Sequence, residues 1–229
     1  MTAEKQGWSY AQYLLHLAEL EQQERRARRI ARALKASQLP TTKTLGGLDL
    51  SLLPDKVRRV LPRLCCGGFV DRGDNLLVFG LPGRGKTHLV CAIGHELVQS
   101  GRRVLFASTH LLVQRLLVAK RDLELERELK RLDRFDALIL DDLGYVQQDR
   151  TEMEVLFTLL AERYERRSVI ITSNLVFSQW DQIFKDPMTT AAAVDRLVHH
   201  CVILEMNNGS VREQQATERL RAAASEGEG

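Results

Sequence analysis

Apolar residues along this chain fall into two rhythms. Between residues 8 and 36 they come in alternating steps of four and three, at Tyr13, Leu17, Leu20, Ala27, Ala31 and Leu34, with Glu24 breaking the series. That spacing lines one face of a helix, and Trp8 to Ala36 contains neither Pro nor Gly, so it predicts one long helix or a helix pair. From Asn75 onward the pattern changes to short, unbroken apolar runs. Asn75–Phe79, Arg103–Ser108, Ala137–Leu140, Ser168–Asn174 and Cys201–Glu205 read as buried strands. Between them, His88–Gln99, His110–Leu132 with a break near Asp122, and Thr151–Arg166 carry helical patterns, with Thr109 placed to cap the second. Strands alternating with helices predict an α/β fold, a parallel sheet flanked by helices.

The stretch from Ser37 to Asp55 has turn formers, hydroxyls and no helical period. It marks a boundary, dividing the chain into a small helical domain over 1–50, a core over 51–212 and a polar tail over 213–229 expected to be disordered. A short helix over Asp55–Cys66 is expected to be interrupted or kinked near Pro62 and ended by Gly67-Gly68.

Composition narrows the class without naming it. Of the 229 residues, 44% are hydrophobic and 28% charged, ordinary for a soluble globular protein. No apolar run approaches bilayer length and Met1–Tyr10 lacks the features of a signal peptide, so the expected location is cytosolic, without a membrane partner. Cys65, Cys66, Cys91 and Cys201 have neither zinc-site nor disulfide-framework spacing and read as reduced structural residues.

Net charge is a modest +3, but it is unevenly spread. Arg25, Arg26, Arg28, Arg29, Arg32 and Lys35 follow Glu19, Glu21 and Glu24, putting five arginines within eight residues. A run of this kind can be a solvated face laced with ion pairs. Its density of guanidinium forks favours phosphate-backbone contacts that position the protein without reading sequence.

The strongest chemical signal lies between the first strand and its helix. Gly80-Leu81-Pro82-Gly83-Arg84-Gly85-Lys86-Thr87, followed by His88, matches the P-loop pattern at every required position. Glycines there turn backbone N–H groups toward a polyphosphate, Lys86 reaches the outer phosphates, and Thr87 offers its hydroxyl to Mg²⁺. ATP and Mg²⁺ are therefore the expected ligands. The apolar strand ending in Asp141-Asp142, about fifty residues on, reads as the partner Walker B element. Asp141 is assigned to the metal and Asp142 to polarising the attacking water, although it is one methylene shorter than the more usual Glu. Asn174 ends the fourth strand, placed to orient that water or sense the outer phosphate. Arg196, in Asp195-Arg196-Leu197, is a candidate arginine finger for a neighbouring subunit, its bland alternatives being a salt bridge with Asp195 or a surface charge. Arg212 is a weaker candidate for phosphate sensing. His199 and His200, adjacent on a predicted helix, do not share a face and read as structural.

With these residues assembled, nearly the whole chain resembles the IstB family of insertion-sequence ATP-binding proteins. The resemblance rests on Gly80–Thr87, Leu138–Tyr145, Glu162-Arg163-Tyr164, Ile171–Asn174, Phe177-Ser178-Gln179-Trp180, Asp195-Arg196-Leu197 and the joint Leu39–Leu45. Leu48-Asp49-Leu50 departs from the phenylalanines common in that joint. The resemblance implies an AAA+ ATPase that assembles as a homo-oligomer on duplex DNA, with ATP sites at subunit interfaces. It further implies a partner transposase of the same element, with roles in target selection and strand transfer. It also implies the absence of a full lid domain, in keeping with the short stretch after Glu205. The nearest rival is a replicative helicase loader of the DnaC type; a non-hydrolysing nucleotide clamp and a small-molecule kinase are more distant.

Overall fold

The computed structural model describes residues 7–143, 150–176, 179–180 and 187–207. Gly144, Tyr145, Phe177, Ser178, Arg212 and the 213–229 tail lie outside the described residues. Helix α1 (Tyr10–Ser37) is a single helix, about 42 Å long at 1.5 Å per residue. It begins at a reciprocal cap: the Ser9 hydroxyl accepts from the Gln12 N–H at 3.3 Å while the Gln12 carbonyl oxygen accepts from the Ser9 N–H at 2.8 Å. Gln38 ends it in the left-handed conformation, φ 56°. Only its last turns meet the core, through buried Ser37 and half-buried Ala33 and Leu34. Tyr13, Leu17 and Leu20 share a face as their spacing requires, but stay 42%, 42% and 44% exposed.

The joint after α1 lies against the core. Leu39 is buried against Gly94, where an added Cβ would meet it at 3.0 Å. Further on, the Pro40 carbonyl bonds His95 Nε2 and the Thr44 carbonyl bonds His88 Nε2, both at 3.0 Å. Short 3₁₀ turns at Leu45–Gly47 and Leu50–Leu52 lead to α2 (Asp55–Cys65). Helix α2 runs on through Pro62, contrary to the expected interruption, with the Cys66 N–H bonded to the Pro62 carbonyl at 3.1 Å. The hydrogen bond forfeited at Pro62 is offset by an amphipathic face that buries Val57, Leu61 and Leu64. Helix α3 (Gly68–Asp71) follows.

The sheet is made of β1 (Asn75–Phe79), β2 (Val104–Ser108), β3 (Ala137–Asp141), β4 (Ser168–Ser173) and β5 (Cys201–Glu205). Its order is β2-β3-β4-β1-β5 and every pairing is parallel. The strands β1, β3 and β4 are buried along their whole length, which is why they read as continuous apolar runs. The helices between strands are α4 (Lys86–Gln99), α5 (Thr109–Arg121), α6 (Leu125–Leu132), α7 (Arg150–Arg163) and α8 (Pro187–Val198). The expected break near Asp122 is real and centres on Leu123, φ 60°.

Two polar residues hold this scaffold from inside. Arg163, 2% exposed at the end of α7, donates to the carbonyls of Leu132, Phe135 and Ser168 at 3.0 to 3.1 Å, stitching the end of α6 to β4. Burial pushes its guanidinium down to about 9, the direction expected when a cation loses water. Thr109 is the first residue of α5, not its cap. Its buried hydroxyl donates instead to the Asp141 carbonyl at 2.8 Å, because β2 and β3 end side by side.

Candidate nucleotide site

Strand order brings the ends of β1, β3 and β4 together on one edge of the sheet. From β1 the chain turns into the phosphate loop with no room to spare at its first residue: a Cβ on Gly80 would sit 2.7 Å from the Met206 carbonyl oxygen. Gly85 caps α4 in the left-handed conformation, φ 81°, which a side chain would disfavour. The first turn of α4 thus points its free N–H groups back at the loop. Lys86 is 6% exposed and its ammonium donates to the carbonyls of Gly80 and Leu81 at 2.6 and 3.0 Å, spanning the loop. Leu81 stands 61% exposed at the rim. The His88 side chain turns away to the Thr44 carbonyl.

Asp141 ends β3 beside this loop, 8% exposed. Its carboxylate accepts from the Thr172 hydroxyl at 2.7 Å, and the Thr172 oxygen in turn accepts from the Asp142 N–H at 2.9 Å. Asp142 has φ 60°, a left-handed backbone that Asp tolerates better than most residues. The Leu143 N–H closes the turn onto the Thr172 carbonyl at 2.9 Å. Thr172 thus fixes both acids, a role that sequence reading missed. The available signal was a hydroxyl directly after Val169-Ile170-Ile171, still within a buried strand that demands a partner for it.

Burial raises the Asp141 pKa, the neighbouring Asp142 charge adds to the rise, and hydrogen bonds from Thr172 and Thr87 oppose it. A carboxyl whose folded pKa lies above its unfolded one contributes stability below the unfolded pKa, lost as pH rises through the folded value. In the nucleotide-free protein Asp141 therefore contributes a loss of stability as pH rises out of the ordinary carboxylate range, opposite in sign to the contribution of carboxylates such as Asp55 and Asp71 that arginine partners hold low. Asp141→Asn should remove that contribution, making stability rise more with pH than in wild type, and should raise Tm at neutral pH by about 2–4 °C. Thermal melts between pH 4 and 8 check it; equal slopes in the two proteins would remove the assignment.

Asn174 follows β4, next to Ser173, whose carbonyl accepts from the Gly80 N–H at 3.2 Å. Its Oδ1 is buried without a hydrogen-bond partner. An orphaned acceptor of this kind at a phosphate loop fits an ordered water or ligand donor.

Arg196 lies at the other end of the sheet. It is in the last turn of α8, next to Leu197, whose carbonyl accepts from the Asn75 amide at the start of β1 at 3.2 Å. Five strand residues, about 3.3 Å each, separate that edge from the phosphate loop. The half-buried guanidinium stacks 4.9 Å from the Phe157 ring centroid and donates to the Ala192 carbonyl at 2.9 Å. Among the described residues it makes no ion pair, so the Asp195 alternative does not hold. It lines a cavity of about 230 Å³ with Arg72, Gly73, Asn75, Tyr164, Glu165 and His200.

His199 and His200 depart from expectation. They occupy the turn after α8, not a helix, and their ring centroids are 4.2 Å apart. His199 Nδ1 lies 3.4 Å from Glu165 and 3.1 Å from the Tyr164 hydroxyl. The six basic residues of α1 are all exposed. Arg25 and Arg28 pair with Glu21 and Glu24 at 2.6 and 2.5 Å, while Arg26, Arg29 and Lys35 make no ion pair among the described residues.

A parallel sheet in this order, a phosphate loop after β1 and an acid pair after β3 define a P-loop ATPase fold of the AAA+ type. Solved structures agree on the fold. A DnaC helicase loader superposes with TM-score 0.59 at 21% identity, over 76% of this chain and 98% of the other. AMPPCP-bound DnaA from Aquifex aeolicus superposes with TM-score 0.61 at 20% identity, over 81% of this chain and only 56% of the DnaA chain. The chain belongs to the family of IstB-like ATP binding proteins, whose profile matches residues 1–219. A putative insertion sequence ATP-binding protein of Sinorhizobium fredii (strain NBRC 101917 / NGR234) is 47% identical over 96% of this chain and 74% of its own length. The insertion sequence IS21 putative ATP-binding protein of Pseudomonas aeruginosa is 38% identical over 92% and 79%. Among the described residues no helix is long and apolar enough to cross a membrane.

Proposed function

We propose that this chain is an ATP-hydrolysing helper of transposition, assembling on duplex DNA and acting with the transposase of its own insertion sequence. The observation that carries the reading is the division of the sheet. Lys86, Thr87, Asp141, Asp142 and Asn174 gather at one edge, while Arg196, which makes no ion pair among the described residues, lies at the other. One chain offers both halves of a site but cannot close them on each other, which favours ATP sites at subunit interfaces.

In this reading Lys86 leaves the Gly80 and Leu81 carbonyls for the outer phosphates of ATP, a charge-assisted exchange. Thr87 and Asp141 are hard oxygen donors in contact with each other, a set that fits Mg²⁺, which supplies charge neutralisation across the phosphates. Asp142 accepts the proton of the attacking water, and the orphaned Asn174 Oδ1 accepts that water's other hydrogen and orients it. Arg196 of a neighbouring copy balances the charge that develops on the transferred phosphoryl group. The DNA-facing surface is the exposed basic side of α1. Its two ion pairs are single-turn contacts between exposed, solvent-screened groups, too weak to withhold those arginines from phosphates.

Fluorescence anisotropy of a labelled random duplex and a matching single strand, at two salt concentrations with and without ATP-Mg²⁺, tests this. Tight binding to duplex that needs ATP and weakens steeply with salt is expected. Replacing Arg26, Arg29 and Lys35 by Gln should reduce the log–log salt slope by about 0.9 per lost contact. Preference for the single strand would favour a helicase-loader reading, which the DnaC-like fold also accommodates. An unchanged slope would move the DNA surface off α1.

A further inference from the structure

All five strands run parallel, so the turn that opens β4 and the turn that opens β5 lie at the same edge of the sheet, with the start of β1 between them. The first turn carries Glu165 and the second carries His199 and His200. Adjacent histidines on a helix point apart, but in this turn both converge on the same carboxylate. Each of the three side chains offers one ligand atom, and those atoms lie within 4.8 Å of one another. His199 Nδ1 is 3.4 Å from the Glu165 carboxylate. Ligands on a tetrahedral zinc-class ion, with bonds of about 2.0–2.1 Å, sit about 3.3–3.4 Å apart, so this pair already has the required spacing. The backbones beneath are fastened: the Asn75 N–H donates to the His200 carbonyl at 2.8 Å and the His199 N–H to the Asp195 carbonyl at 3.0 Å. Glu165 packs on Gly73, where an added Cβ would meet its carbonyl oxygen at 3.5 Å. All three side chains are exposed, so an ion reaches them from solvent and their rotation can close the longer separations. An ion pair between Glu165 and His199 accounts for only two of the three. Among the described residues the His200 ring has no hydrogen-bond partner and stays available as a third donor.

We propose that Glu165, His199 and His200 bind one divalent ion of the zinc class per chain, at a site separate from the ATP-Mg²⁺ site and independent of that reading. Two imidazoles and a carboxylate suit Zn²⁺ and its neighbours, whereas Mg²⁺ and Ca²⁺ take oxygen ligands. Three protein ligands leave the fourth position to water. The ion takes the His199 Nδ1 lone pair in place of the Tyr164 hydroxyl, which lies 3.1 Å from it. Arg72 and Arg196 line the adjoining cavity, and their repulsion of a cation is moderated by Asp74, 2.7 Å from Arg72, and by the Phe157 ring under Arg196. Once bound, the ion ties the turn before β4 to the turn before β5. Arg196 precedes His199 by three residues, so the same ion steadies the end of α8 on which that arginine is mounted.

The test takes the untagged full chain, stripped of metal, and titrates Zn²⁺ against a chromophoric chelator. One equivalent should bind with Kd of about 10 μM or tighter. About a hundredfold excess over Kd should raise Tm by about 5–10 °C. In NMR spectra of the imidazole nitrogens, Zn²⁺ should move the signals of two of the six histidines, His199 and His200. Glu165→Gln, His199→Asn and His200→Asn should each weaken binding by about tenfold or more, while their metal-free circular dichroism stays that of wild type. His199→Cys, which exchanges one ligand for another, should keep the site and give bound Co²⁺ a thiolate charge-transfer band that wild type lacks. Binding only at millimolar Zn²⁺, undiminished binding in the three variants, or signal changes confined to other histidines overturns the proposal. The NMR measurement uses wild-type protein, so it decides the matter even where a variant fails to fold.

Discussion

Lys86→Ala is expected to lose nucleotide-dependent assembly on DNA altogether while keeping its fold. The side chain is nearly buried and its ammonium donates to the Gly80 and Leu81 carbonyls of the loop itself, which ties its contribution to the phosphate site. Removing one charge-assisted contact of this kind costs about 1.5–3 kcal/mol, weakening nucleotide affinity by about tenfold to a hundredfold. Assembly that depends on several occupied sites amplifies that loss. Sedimentation of protein and duplex with ATP-Mg²⁺, beside circular dichroism of the free variant, checks both halves of the expectation. Full assembly by the variant would remove Lys86 from the site.

Arg196→Ala carries the other large effect. The residue sits a full strand length from its own phosphate loop, so its loss should leave ATP binding within about twofold and cut turnover by about 10³- to 10⁵-fold, the range for arginine fingers. Mixing gives the sharper version. Lys86→Ala subunits keep Arg196, Arg196→Ala subunits keep the phosphate loop, and an equal mixture should recover a measurable share of wild-type hydrolysis from interfaces that combine the two intact halves. Wild-type turnover in the single variant would take Arg196 out of the chemistry. Two inactive variants that stay inactive when mixed would leave it a role only in packing α8 against Phe157.

What could be read from the sequence, and what could not, divides along a physical line. β1, the phosphate loop, α4, and the strand carrying Asp141 were legible because central parallel strands are buried on both faces and stand out as apolar runs, and because the loop chemistry is local in sequence. The five strands followed from the same pattern, but their order in the sheet did not. The polar interior did not. Thr172 and Thr109 lie in or beside strand patterns, and only the pairing of β2 with β3 and β3 with β4 shows that their hydroxyls face Asp141. Arg163 sits in an ordinary charged helix end, and its three carbonyl partners come from residues up to 31 positions away. Pro62 misled for the opposite reason: a local rule about helix breaking yielded to the apolar face that α2 buries. His199 and His200 were misjudged because the helix ends at Val198, two residues earlier than the pattern suggested, and a turn allows neighbouring side chains to converge. The joint at Pro40–Thr44 read only as a boundary because its fastenings to His88 and His95 are carbonyl contacts, invisible in residue type.

The tight contact at Gly80 has a mechanical side. The Met206 N–H bonds the Phe79 carbonyl at 2.7 Å, and the Met206 carbonyl fills the space where a Gly80 side chain would be. The backbone leaving the last strand therefore rests directly on the first residue of the phosphate loop, with no compressible side chain between them. A side chain at Gly80 would therefore have to push the end of β5 away from β1, so Gly80 binds the last pairing of the sheet and the start of the loop into one packing unit.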